Sequence, residues 1–280
     1  MLMVDFDQVA ASRALSRIPV VVSIGVFDGL HTGHLKVIET AVQEARRRRS
    51  CSSAVLTFSI NPKTVMGRNP YAKPLMSLRQ STDFFSDLGV DYLVVIDFSP
   101  EFSKLSGEAF IAKTCSLFDV KAIVVGENFR CGSGAGTGPA EIARLLPRYS
   151  EGASVIVPET YRLADGTEDS STLVRKSLTE GRIAETASLL GRNYALDLAQ
   201  LPPRIDGYAL RFPLGSFVQL LPPPGAYEAV LVGHDKSRTE VVASVDGEFL
   251  TLAPAAGLDA TARSDRYDSL ELIKESLQAC

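Results

Sequence analysis

Pro19-Val-Val-Val-Ser-Ile-Gly-Val-Phe-Asp-Gly-Leu-His-Thr-Gly-His34 runs from an apolar segment through a glycine-bearing turn to a histidine pair. The apolar segment reads as a strand buried on both faces. Beyond the pair, Leu35, Val37, Ile38, Ala41, Val42 and Ala45 are spaced for a helix with one buried face. A strand, a glycine turn and a helix start bring free backbone N–H groups and a positive helix end to one spot, which suits an anion. His31 and His34 add two imidazoles one helical turn apart, and Gly25 and Gly29 are expected to let the backbone approach a phosphate. Two such donors can hold phosphates and stabilise charge that grows on them during reaction. The competing readings are local packing of the two rings and a metal pair. A structural zinc site needs further ligands, and His234 is the one other histidine in the chain.

Outward from this stretch, strand-like and helix-like segments alternate to about residue 160. Ser53–Phe58, Tyr92–Ile96, Ala122–Val125 and Ala153–Val157 read as strands, and segments near 78–88, 107–117 and 139–146 as helices. Val- and Ile-rich strands without alternation imply an α/β fold, a Rossmann-like doubly wound parallel sheet whose ligands sit outside the carboxyl ends of the strands. After Tyr194 prolines cluster, and short runs such as Ala226–Val232 and Glu240–Val245 suggest a second, smaller β-barrel-like domain. Tyr267 to Leu277 has helical spacing. The expected domains are 1–197 and 198–280, with Leu198 to Arg204 as linker.

The balance of 29 basic to 33 acidic residues argues against a general nucleic-acid or membrane-surface binder. Arg46 to Arg49 reads as the solvated end of a helix, where positive charge meets the carbonyl end. No apolar run approaches the ~20 residues that span a bilayer, and the first residues lack a signal-peptide core. Cys51, Cys115, Cys131 and Cys280 form no C-x-x-C pair, so reduced thiols and a cytoplasmic home are expected. Ser170-Ser-Thr172 before Leu173, Val174 and Leu178 reads as a hydroxyl-capped helix start with Arg175 one turn in, a set suited to phosphate. The loop Gly132–Gly138 is neither a P-loop nor a dinucleotide fingerprint; it reads equally as a substrate flap or a flexible surface loop.

The string GVFDGLHTGH resembles the signature of the nucleotidylyltransferase superfamily, and further segments narrow the resemblance to the bacterial FAD synthetases, usually fused to a riboflavin kinase. These are Thr57-Phe58 with Asn61-Pro62, Leu88–Asp91, Phe102–Ser106 with Phe110-Ile111, Val124–Arg130 with Gly132, Ser170–Arg175 and Leu190–Tyr194. The resemblance covers about residues 19–195. It implies a Mg2+-dependent adenylyl transfer from ATP to FMN, with phosphate and transition-state roles for His31 and His34 and a catalytic Arg175 on the β- and γ-phosphates. It also implies substrate contacts at Gly25, Phe27, Gly29 and Asn61, with Asp28 and Asn128 at the metal or substrate rim. Ser170, Ser171 and Thr172 would meet the triphosphate. Transfer to another phosphorylated acceptor, or non-catalytic flavin or nucleotide binding, are the alternatives. The family often carries histidine where Asn61 stands and a basic residue where Ala135 stands. Leu220–Val230 resembles the kinase barrel, but the Gly-rich segment ending in Pro-Thr-Ala-Asn that precedes it in the family is missing, so kinase activity is expected to be absent.

Overall fold

The computed structural model describes residues 1–67, 73–162, 166–167, 169–254 and 267–275. The chain forms two compact units, Met1–Ala72 with Ser81–Glu168, and Lys73–Gln80 with Asp169–Cys280.

The first unit contains β1 (Leu2–Asp5), α1 (Phe6–Ser12), β2 (Pro19–Ile24), α2 (Thr32–Arg47), β3 (Ser52–Phe58) and α3 (Pro62–Val65). Helix α4 (Leu78–Asp87) follows, and its residues from Ser81 onward group with this unit. Then come β4 (Tyr92–Ile96), α5 (Gly107–Leu117), β5 (Asp119–Val124), α6 (Pro139–Leu145) and β6 (Ser154–Ile156). The six strands pair in parallel in the order β1-β4-β3-β2-β5-β6. Val20, Val22, Ile24, Leu56, Val94 and Ile123 pack on one face with Phe6, Phe110, Ile111 and Ile142 from α1, α5 and α6. On the other face Val21, Ala122 and Val124 meet Ala41 and Ala45 of α2. Helices on both faces explain why β2 is apolar at consecutive positions. Each fully buried Val or Ile contributes about 1.5–3 kcal/mol, so the unbroken run in β2 anchors the sheet from which the motif loop springs.

The order reverses at β2, which pairs with β3 on one side and β5 on the other. The crevice for a ligand therefore lies at the carboxyl ends of β2 and β5, with the motif loop on one side and the loop from Gly126 on the other.

Helix α2 ends in arginines held in part by ion pairs. Arg47 and Arg48 both bond Glu44, whose carboxyl their hydrogen bonds lower to about 2. This agrees with the solvated helix end expected from sequence.

The second unit contains α7 (Ser171–Thr179), α8 (Ile183–Leu190), β7 (Tyr194–Asp197), β8 (Arg204–Asp206), β9 (Ala209–Pro213), β10 (Gly225–Gly233), β11 (Arg238–Val245), β12 (Phe249–Pro254) and β13 (Tyr267–Glu275). They form a seven-stranded antiparallel sheet ordered β7-β13-β10-β11-β12-β9-β8. One sequence expectation changes here. Tyr267–Glu275 is a strand rather than a helix, because β13 is hydrogen-bonded on both sides, to β10 and to β7, and alternates Leu270 and Leu272 into the core. Residues 276 and 277 of that expected helix lie outside the described residues, as does Cys280. Within the second compact unit β7 pairs with β13 and α8 packs against both. Cys51, Cys115 and Cys131 are free thiols. No helix among the described residues is long and apolar enough to cross a membrane.

Candidate active site

The motif loop begins while the chain is still tied to the sheet, with the Gly25 amide donating to Leu56 O at 3.1 Å. Phe27 then folds back, and a Cβ on Gly25 would stand 2.8 Å from its ring carbons. That is closer than a side chain can approach, so Gly25 is glycine to seat Phe27. Gly29 lies at φ +80 in the left-handed region, as a tight turn requires. Leu30 follows at φ +44, an unfavourable conformation for leucine that its complete burial holds in place. Asp28 is half-buried in the same turn.

His31 is the N-cap residue of α2, extended in backbone, and its side chain does not act as the cap. It is buried, at 5% exposure, with its ring centroid 3.8 Å from that of His34. Phe27 abuts His34 edge-on at 5.4 Å and meets buried Phe85 at 6.1 Å. A core aromatic stack thus backs the histidine pair. His34 Nδ1 is buried with no hydrogen-bond partner. The neutral tautomer that leaves a lone pair there carries its hydrogen on Nε2, the atom left to donate. Burial, and secondarily neighbouring His31, hold the His34 imidazole well below its ordinary value of 6.5.

Unfolded chain takes up a proton at His34 below about 6.5, whereas the folded chain resists it. Stability from this residue is therefore complete above that pH and declines as pH falls below it, by at most about 1.4 kcal/mol per pH unit. Urea unfolding of the protein and of His34→Gln at pH 5 to 8 should show a steeper acid-side loss in the unsubstituted chain; parallel profiles would contradict it.

Asn61 caps α3, its Oδ1 accepting from the Lys63 amide at 2.9 Å. Asn128 is exposed in the turn after β5, which the Phe129 N to Gly126 O bond closes at 3.0 Å. The glycine loop is tied at its base by reciprocal Cys131–Thr137 backbone bonds and by Ser133 N to Leu105 O at 2.7 Å.

Two groupings were not drawn from the sequence, although Phe58, Phe102 and Glu127 lie in segments that carry the resemblance. Phe58, Phe98 and Phe102 form an edge-and-tilt cluster with centroids 5.8–6.3 Å apart where β3 and β4 end. On the β5–β6 side, Lys36, Glu127, Glu159, Thr160, Tyr161 and Arg162 line a cleft of about 530 Å³. Thr160 Oγ1 donates to Glu127 there at 2.9 Å. The space is a cleft open to solvent rather than an enclosed cavity.

In the second unit, Ser170 is the N-cap of α7 and its Oγ accepts from the Leu173 amide at 3.3 Å, as the sequence reading expected. Ser171 and Thr172 are the first two helical residues. Arg175 is 4% exposed and donates through Nη1 to Lys73 O at 2.7 Å. The histidines and the Ser170–Arg175 segment thus belong to different units. Among the described residues no three His, Cys, Asp or Glu side chains are grouped to cage a metal ion.

A family model described as FAD synthetase matches residues 15–172. The chain belongs to that family. The bifunctional riboflavin kinase/FMN adenylyltransferase of Listeria monocytogenes is 28% identical over 90% of this chain and 76% of its own length. The Escherichia coli K12 protein of the same description is 27% identical over 80% of this chain and 72% of its own. A crystal structure described as a macrolide-efflux protein from Streptococcus pneumoniae superposes with a TM-score of 0.76 at 22% identity, covering 94% of this chain and all of that one. At that identity the likeness speaks for the fold alone.

Proposed function

We propose that this chain is an FMN adenylyltransferase, making FAD and pyrophosphate from ATP and FMN. The observation that carries the reading is the close, tilted His31–His34 pair at the start of α2 in a chain of the FAD synthetase family. An FMN phosphate oxygen attacks the α-phosphorus of ATP, the new O–P bond forms as the bond to the β-phosphate oxygen breaks, and pyrophosphate departs. No protein nucleophile is needed; positioning and charge stabilisation supply the acceleration.

His31 and the Nε2–H of neutral His34 donate to phosphate oxygens as charge grows on them. Ser171, Thr172 and Arg175 are assigned the β- and γ-phosphates on helix-start chemistry and the family motif. The Phe58–Phe98–Phe102 cluster offers an apolar surface to the planar flavin, and the polar cleft beside β5 and β6 suits a nucleoside. Gly29, Phe27 and Gly25 shape the loop, while Asn61 and Asn128 sit on loops at the carboxyl edge of the sheet. Magnesium binds readily through one or two carboxylates plus substrate phosphates. With no caging cluster among the described residues, Asp28 is the motif-loop carboxylate that would join the triphosphate in holding it, where it would neutralise phosphate charge.

The second unit is proposed to lack riboflavin kinase activity, because the chain between β9 and β10 reads Leu214-Gly-Ser-Phe-Val-Gln-Leu-Leu-Pro-Pro-Pro224 in place of the family's Gly-rich nucleotide segment. The purified chain incubated with ATP and magnesium should convert FMN to FAD and leave riboflavin unchanged, read by chromatography. FAD absent, or FMN formed from riboflavin, overturns the corresponding half.

A further inference from the structure

Segment 73–80 lies outside every motif in the sequence reading, yet it is stitched residue by residue to the β-rich unit. Lys73 Nζ donates to Phe217 O at 2.7 Å, Pro74 O accepts from Leu220 N at 2.8 Å, and Leu75 O accepts from Gln219 Nε2 at 3.1 Å. Gln219 is 1% exposed and fully used: Nε2 also donates to Ala195 O at 3.0 Å, and its Oε1 accepts from Asp197 N at 2.7 Å. One buried amide therefore ties the segment to strand β7. Further along, Arg79 forks onto Asp197 and Asp268, and Gln80 Nε2 donates to Ala195 O. The outcome of this stitching is the placement of one acceptor, Lys73 O, which takes the bond from Arg175 Nη1.

A buried guanidinium is held by what accepts its hydrogens, and its fork keeps one orientation only if those acceptors are fixed. A free segment at 73–75 would cost Arg175 its Nη1 bond to Lys73 O, one of the contacts that fix the orientation of the fork. We infer that Gln219 is a positioning residue for adenylyl transfer: through Leu75 and the Lys73 carbonyl it orients Arg175 toward the triphosphate of ATP. This builds on the assignment of Arg175 to the triphosphate. It also gives the β-rich unit a task in adenylyl transfer although it lacks the kinase segment.

The test uses the full chain and a non-cleavable probe, α,β-methylene-ATP with magnesium, titrated by calorimetry beside FMN, with FAD formation measured separately. Gln219→Met keeps the volume and removes all three bonds. It should weaken the ATP analogue about five- to twentyfold while leaving FMN affinity within about twofold, and in an Arg175→Ala background it should change the analogue's affinity by less than about twofold. Lys73→Met, cutting the tie to Phe217 O, should show the same non-additivity and serves if Gln219→Met does not fold. Equal weakening of both ligands, or an undiminished effect in the Arg175→Ala background, overturns the positioning role. Unchanged affinity in Arg175→Ala itself overturns the assignment of Arg175 and this inference with it. Loss of FAD formation in the unsubstituted chain, with the binding differences intact, overturns the adenylyl-transfer reading alone.

Discussion

His31→Ala is expected to leave a folded protein whose kcat for FAD formation is lower by about 10²–10³-fold, the cost of removing one charge-stabilising donor. Some stability should be lost with it, since the ring is 5% exposed and lies against His34, although the side chain does not cap α2 and the helix keeps its first backbone bond, Leu35 N to His31 O at 3.0 Å. What goes is one of two rings whose centroids are 3.8 Å apart at the positive end of the helix. The loss should fall on kcat more than on the KM of FMN, because the donor answers charge that develops on the transferring phosphoryl group. Saturating kinetics beside a melting curve separates this from unfolding. Turnover within about threefold of the unsubstituted protein, measured below the variant's melting temperature, would remove His31 from the chemistry.

The site was legible in sequence where its parts are neighbours in the chain. His31 and His34 are one turn apart, so strand, turn and helix periodicity sufficed to bring them together. The Phe58–Phe98–Phe102 cluster draws on the end of β3 and the loop after β4, and no local spacing marks it. The available signal was an aromatic residue at or just past a buried strand's carboxyl end, where ligands bind in such sheets. The packing of Phe27 over Gly25, where a Cβ would stand 2.8 Å from the ring, likewise has no signature in local spacing.

In the fold, β2 to β6 and their helices followed from buried-strand composition and helical spacing. Strand β1 escaped because it is a four-residue sheet edge with its first two residues exposed, and gives neither an apolar run nor a helical face. Strand β13 was misread because Tyr267 and Leu270 are spaced as on a helix. The preference was overridden by hydrogen-bonding partners on both sides, β10 and β7, which are distant in sequence and invisible to a local window.

Phe85→Ala is expected to have the largest effect on stability. Phe85 is fully buried, and truncating a core phenylalanine costs about 3–5 kcal/mol, a large part of the ~5–15 kcal/mol that holds a domain folded. Its consequence for function passes through ring contacts. Phe85 supports Phe27 edge-on at 6.1 Å, and Phe27 walls His34 at 5.4 Å. The ring of Phe27 is also confined at Gly25, where no Cβ could be accommodated, so its seat is set by Phe85 on one side and the backbone on the other. Removing Phe85 opens a cavity into which Phe27 can turn, taking the wall from His34 and letting water reach a ring whose neutrality depends on burial. The activity lost should therefore exceed the loss in folded fraction and carry a new dependence on pH below about 6.5. Phe85→Leu, which keeps most of the volume, should cost about 1.5 kcal/mol or less and preserve the pH profile. Urea unfolding and kcat against pH for both variants test this. A Phe85→Ala protein destabilised by less than about 1 kcal/mol, or one whose pH profile matches the unsubstituted chain, would mean the histidine pair does not depend on the aromatic stack behind it.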